Sequence, residues 1–341
     1  MPIAKRVREL SPYVPGEQPK SKDVVKLNTN ENPYPPSPEC AKTLAGFDLE
    51  RLRKYPDPVF MELRKAIARL CKTTPEHVFV GNGSDEVLAL AAKAFVEDGG
   101  ALASLDPSYS LYKTIAAIRG VEWRGVPDLA AFDAKAAGAP ELFLLTNPNA
   151  PTGAFIEPDE IAKFARRYKG VLLVDEAYAD FARSNAMPLA VAPRNRNTIV
   201  MRTFSKSYSL AGLRVGYCVG PVPLIEALYK IKDSYNVDAI AQAVALAAVK
   251  DQKWMKANAA KIKKTRKAFT AELVKRGWDV IPSESNFVFA RPPKQNAKEI
   301  FLALKKAGIF VRYFETPLTR DRLRITIGTD GEMAKLLAAL P

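Results

Sequence analysis

A lysine set among hydroxyls, with an arginine eight residues further on, is the stretch of this chain with the most chemical content: Thr203-Phe-Ser-Lys-Ser-Tyr-Ser-Leu-Ala-Gly-Leu-Arg214. A lysine amine forms an imine only when uncharged, and a phosphate on the same reaction partner needs hydroxyls and a guanidinium close by. Lys206, with Thr203, Ser205 and Arg214 around it, offers both. One lysine among 51 Lys and Arg residues is ordinarily a solvated surface charge, so the assignment turns on the rest of the chain.

Ligands of an open parallel sheet sit beyond the carboxyl ends of its strands, and three further apolar runs end in chemically equipped segments. After Val78-Phe-Val80 comes Gly81-Asn-Gly-Ser-Asp-Glu86, a glycine turn opening into a helix. Small residues there leave free backbone N–H groups at the positive end of the helix dipole, a cradle for a phosphate. After Leu142-Phe-Leu-Leu145 comes Thr146-Asn-Pro-Asn-Ala-Pro-Thr-Gly153, a rigid polar turn, and after Val171-Leu-Leu-Val174 comes Asp175-Glu-Ala-Tyr178. A carboxylate facing a pyridine nitrogen keeps that nitrogen protonated and makes the ring an electron sink, and a nearby tyrosine can bond the ring's phenolic oxygen. A helix cap is the plain alternative for Asp175 alone. Phosphate cradle, ring acid with its phenol partner, and lysine, at three separate strand ends, together describe a site for pyridoxal phosphate.

The elements that would position these groups follow from texture. Strand-length runs apolar on both faces, at 78–80, 142–145, 171–174 and 198–201, alternate with helical patterns at 61–71, 85–96 and 158–168, which predicts a parallel sheet covered on both sides. The fold class is α/β, with a large domain over roughly 30–230. Beyond it the pattern predicts one long helix over 237–276, then strands at 278–281, 286–290, 309–313 and 323–327 with a helix at 297–307. These form a smaller α+β domain over 231–341, joined by an extended arm, 1–29.

Composition narrows the function classes. With 48% hydrophobic and 26% charged residues the chain is ordinarily globular, and no run approaches a membrane span or a signal peptide, so it is expected in the cytoplasm and off the membrane. Cys40, Cys71 and Cys218 are far apart and, with His77 the only histidine, give no metal-type spacing and no hydrolase triad. The net charge of +14 admits a nucleic-acid partner, but the basic residues are dispersed and the cluster at 250–275 reads as the wet face of a helix. A nucleic-acid binder would be colourless and held on DNA in a salt-sensitive way.

The segments Leu27-Asn-Thr-Asn-Glu-Asn-Pro-Tyr34, Tyr55-Pro-Asp57, Gly81 to Glu86, Pro107-Ser-Tyr109, Asn147 to Gly153, Asp175 to Tyr178, Ser205-Lys206 with Gly212-Leu-Arg214, and Leu323-Arg-Ile-Thr326 span nearly the whole chain. Their order resembles that of the class I/II, fold-type I aminotransferases, and within them the histidinol-phosphate aminotransferases, to which Pro12-Tyr-Val-Pro-Gly16 also points. The resemblance implies a mostly parallel seven-stranded sheet, pyridoxal phosphate, and transfer of nitrogen between histidinol phosphate and 2-oxoglutarate in histidine biosynthesis. It implies that Lys206 carries the cofactor and shuttles the proton, with Asp175 on the ring nitrogen, Tyr178 on the phenolic oxygen and Tyr109 stacked on the ring. Ser84, Asp85, Thr203, Ser205 and Arg214 would hold the phosphate, and Tyr55 would reach the phosphate in a second subunit of a homodimer with shared sites. Arg324 would hold a substrate carboxylate, with Arg312 and Tyr34 near the substrate's far end.

Two departures stand out: Ala150 occupies the place of an asparagine that bonds the phenolic oxygen, leaving Tyr178 alone or with Asn149, and Pro35 stiffens a segment near the substrate. The alternatives within the fold are an aromatic or broad-specificity amino-acid aminotransferase and a threonine-phosphate decarboxylase.

Overall fold

The computed structural model describes every residue except 1, 4, 9, 11–14, 22, 135, 137 and 295, so Pro12, Tyr13 and Val14 lie outside the described residues. Its strands are Val25–Lys26 (β1), Val78–Gly81 (β2), Ala101–Leu105 (β3), Glu122–Val126 (β4), Leu142–Thr146 (β5), Val171–Asp175 (β6), Thr198–Thr203 (β7), Gly216–Val219 (β8), Asp279–Ile281 (β9), Phe287–Arg291 (β10), Ile309–Phe310 (β11), Arg312–Tyr313 (β12) and Leu323–Thr326 (β13).

Seven strands form the main sheet in the order β2-β8-β7-β6-β5-β3-β4. β4, β3, β5, β6 and β7 run parallel, while β8 is antiparallel to both β7 and β2. The apolar runs are explained by the two cores they serve. Along β5, Phe143 and Leu145 enter one buried cluster and Leu142 and Leu144 the other. Ile67 of helix Met61–Cys71 and Phe164 of helix Pro158–Arg167 cover the first face. Val87 of helix Gly83–Phe95 and Ile225 of helix Val222–Ile231 cover the second. Alternating directions along a strand with no polar face require this three-layer arrangement.

A second sheet, antiparallel, has the order β12-β13-β10-β9, and β1 of the arm pairs in parallel with β11. Two expectations from the sequence are corrected here. The helix expected over 237–276 is two helices, Ala239–Lys250 and Gln252–Lys275, because Asp251 ends the first and its carboxylate caps the second by accepting from Trp254 N at 3.2 Å. The strand expected over 309–313 divides at Val311, its first half pairing with the arm and its second with β13. Among the described residues no helix is long and apolar enough to cross a membrane.

Candidate active site

A cavity of about 390 Å³ lies where the carboxyl ends of β5, β6 and β7 meet the arm and the antiparallel sheet. Lys206, Asp175, Tyr178, Tyr109, Ser84, Asp85, Thr203, Ser205, Arg214, Arg312 and Arg324 all line it.

One wall is the first turn of helix Gly83–Phe95. Gly83 has φ +82°, and a Cβ there would stand 2.6 Å from Arg214 Nη2; a Cβ on Gly216 of β8 would stand 2.5 Å from Ser84 N. Two glycines therefore let the turn, the guanidinium and the neighbouring strand close on one another with the helix N–H groups uncovered. Arg214, itself at φ 56°, donates to Ser205 Oγ at 3.4 Å and to Ala211 O at 3.2 Å, and Ser205 Oγ accepts from Thr203 Oγ1 at 3.0 Å. Hydroxyls, guanidinium and helix end form an anion cradle.

Asp175 ends β6 beside Thr146 of β5. Its buried carboxylate accepts from Tyr112 Oη at 2.9 Å and from Ala177 N at 3.1 Å. Burial pushes its pKa up to about 6 although both bonds oppose the rise. Tyr112, fully buried, also bonds Thr146 Oγ1 at 2.5 Å. Sequence reasoning missed this tyrosine; a phenol one turn beyond Tyr109, on the apolar side of helix Leu111–Arg119, was the available signal.

Lys206 Nζ donates to Thr29 O of the arm at 3.1 Å, and its loop is held by Asn32 Nδ2, which donates to the carbonyls of Lys206 and Ser207 at 3.1 and 3.2 Å. Behind it, Arg202 grips buried Glu176 at 2.8 Å and Asp180 at 3.5 Å, and Asp180 accepts from Ser207 Oγ. Burial, assisted by the charge of Arg324, brings the Lys206 pKa down to about 8 against the pull of Glu31 and Asp85. The uncharged form of the amine is therefore more accessible near neutral pH than in an ordinary lysine.

Arg312 and Arg324 are directly opposed across β12 and β13. Their guanidiniums flank the Phe314 ring, 5.2 and 5.3 Å from its centroid. Arg324 Nη2 donates to Asn28 O at 2.9 Å and Arg312 Nη1 to Pro15 O at 3.2 Å. Like charges opposed in this way repel, and an anion between them relieves the repulsion.

Three sequence-predicted residues stand elsewhere. Tyr34 does not line the cavity: its ring lies under Lys261, 4.8 Å from Nζ, and its N–H bonds back to Asn32 Oδ1 at 3.0 Å. Asn149 does not line the cavity either: its amide donates to Pro107 O at 3.1 Å, so it braces the strand end that carries Tyr109. Tyr55 is 80% exposed, stacked on Tyr235 at 4.3 Å, and does not reach the cavity of its own chain. His77 is structural, its Nδ1 lying 2.8 Å from Gly220 O.

Residues 22–340 match the family described as aminotransferase class I and II. The chain is 45% identical to a histidinol-phosphate aminotransferase of Syntrophotalea carbinolica, over 99% of this chain and 98% of the relative. It is 46% identical to histidinol-phosphate aminotransferase 1 of Bradyrhizobium diazoefficiens, over 98% of this chain and 97% of the relative. The crystal structure of histidinol-phosphate aminotransferase from Sinorhizobium meliloti, in complex with pyridoxal-5'-phosphate, superposes with a TM-score of 0.85 at 29% identity, covering 93% of this chain and 89% of that one.

Proposed function

The chain belongs to the class I and II aminotransferases, and we propose that it is a pyridoxal-phosphate enzyme exchanging nitrogen between histidinol phosphate and 2-oxoglutarate, with imidazole-acetol phosphate and glutamate as products, in histidine biosynthesis. The observation that carries the reading is one cavity holding a lysine of lowered pKa, a buried carboxylate and an anion cradle that side chains larger than glycine would close. That donor set fits pyridoxal phosphate.

When bound, pyridoxal phosphate supplies an aldehyde that condenses with amines and a ring that stabilises the electron pair released at a substrate carbon. Of the residues that line the cavity, Ser84 and Asp85 through their N–H groups, Thr203, Ser205 and Arg214 would hold the phosphate, Asp175 would pair with the ring nitrogen, Tyr178 would donate to the phenolic oxygen and Tyr109 would cover the ring. Burial makes Asp175 costly to ionise in isolation, so an adjacent cation is strongly bound. Lys206 Nζ would hold the cofactor through its aldehyde and, as a free amine, would take a proton from the substrate carbon and return it. Arg324 holds the carboxylate next to the reacting carbon, and Arg312 reads the anionic far end, phosphate or second carboxylate.

The active unit in this reading is a homodimer. Leu49, Leu52 and Tyr55 are 70%, 52% and 80% exposed on one segment, beside exposed Tyr235. An apolar patch of this kind calls for a covering partner, and a second copy would bring Tyr55 to the neighbouring site. The test is a panel of amine donors offered to the purified, cofactor-loaded protein with 2-oxoglutarate. Fastest glutamate formation with histidinol phosphate is expected; preference for phenylalanine or tyrosine, or carbon dioxide release without 2-oxoglutarate, would overturn the substrate assignment.

A further inference from the structure

Tyr178 does not stand alone in the cavity wall. Its hydroxyl accepts a hydrogen bond from Asn30 Nδ2 of the N-terminal arm at 2.9 Å. Asn30 is 1% exposed and lines the same cavity. Its backbone is in the left-handed region at φ 56°, where asparagine is among the few side-chain-bearing residues that settle readily. Three bonds hold it there. Its N–H donates to Thr326 Oγ1 at 3.0 Å, Thr326 Oγ1 donates back to Asn30 Oδ1 at 3.0 Å, and Asn286 Nδ2 donates to Asn30 O at 3.0 Å.

This closed set decides which way the amide points. Turning the amide over would take from the Thr326 hydroxyl the oxygen it donates to, so the oxygen faces Thr326 and the NH₂ faces Tyr178. A phenol that accepts from an amide keeps its own proton to give elsewhere. Ala150, which also lines the cavity, presents only a methyl group and supplies no such amide from the opposite turn.

We propose that Asn30 is the positioning residue of Tyr178, aiming the phenol's proton into the cavity at the phenolic oxygen of the bound pyridine ring; the inference rests on the pyridoxal-phosphate reading. Asn30 acts through Tyr178 and touches no reacting atom. A hydrogen bond to a charged oxygen favours the charged form, so Tyr178's proton lowers the pH at which the lysine-linked cofactor loses its own proton, and mis-aiming the phenol raises it.

The experiment is a pH titration of the visible absorbance of the cofactor-loaded enzyme. Asn30→Gly accepts the left-handed backbone and retains both main-chain bonds while deleting the amide. It is expected to raise the midpoint by about 0.5–1 pH unit, the worth of one hydrogen bond. Asn30→Asp keeps the bond from Thr326 but offers Tyr178 an acceptor, which turns the phenol's proton away from the cavity, and the rise is expected to be larger. Tyr178→Phe raises the midpoint by itself, and adding Asn30→Gly to it moves the midpoint less than about 0.3 further, because the effect passes through the phenol. Lys206, 5.8 Å from the Tyr178 ring, together with Asp175, Arg324, Glu31 and Asp85, is common to all variants, so those fields cancel in the differences. An unchanged midpoint in folded Asn30→Gly and Asn30→Asp, or an Asn30→Gly rise that persists in full with Phe at 178, overturns the inference. A wild type without any pH-dependent, borohydride-sensitive absorbance fails at the cofactor reading instead.

Discussion

Replacing Asp175 by Asn in cofactor-stripped protein removes a charge that the fold holds at a cost. The carboxyl is 4% exposed, and its pKa rises from an ordinary 3.8 to about 6, burial being the largest cause. An acid whose folded pKa lies above its unfolded one contributes stability that is complete below pH 3.8 and is lost as the pH climbs through 6. At neutral pH the ionised carboxylate therefore destabilises the stripped protein by about 3 kcal/mol. Asn keeps the shape and can still accept from Ala177 N, but its NH₂ then faces Tyr112 Oη, which must direct its proton to Thr146 alone. That exchange returns about 1 kcal/mol. A net gain of about 2 kcal/mol is expected near pH 7.5, a melting temperature about 2–5 °C above wild type, falling to zero near about pH 4.5 and reversing slightly below it. Thermal melts of the two stripped proteins across that pH range check it. A gain independent of pH, or an Asn variant less stable at every pH, would refute the reasoning. With the cofactor bound the order reverses, because only the carboxylate meets the ring nitrogen's charge.

Arg324→Ala is expected to slow the glutamate half-reaction by about ten- to a hundredfold, the worth of a charge-assisted bidentate bond, as followed by single-turnover absorbance. Arg312→Ala is expected to impair histidinol phosphate more than histidinol, since only the former has a phosphate to lose; equal losses would mean that this arginine does not read it. Mixing inactive Lys206→Ala and Tyr55→Phe proteins is expected to restore activity above the sum of the two once subunits exchange, and failure despite demonstrated exchange counts against a shared site.

Much of this architecture was legible before any coordinates. Strands such as Leu142–Thr146 advertise themselves because both faces are apolar, and each delivers its polar groups at the carboxyl end. Less visible was whatever depends on direction rather than residue type. Asp251 caps one helix and starts another within an unbroken periodic stretch, and Gly216–Val219 is a strand running against its neighbour without any local sign of it. Tyr34 and Asn149 belong to recognisable segments, yet the Tyr34 ring packs under Lys261 and the Asn149 amide reaches Pro107 O, 42 residues away, and neither lines the cavity. Conversely Asn30, Tyr112 and Arg202 matter through partners 148, 63 and 26 residues away, a pairing that spacing along the chain does not reveal.

The measurement closest to the central claim is reductive trapping of the cofactor followed by peptide mapping. Borohydride treatment of the loaded protein is expected to fix a pyridoxyl-phosphate mass on Lys206, and prior addition of histidinol phosphate is expected to abolish the trapping by converting the cofactor to its amine form. Label on another lysine, or trapping at Lys206 that histidinol phosphate leaves untouched while another amine removes it, would contradict the account.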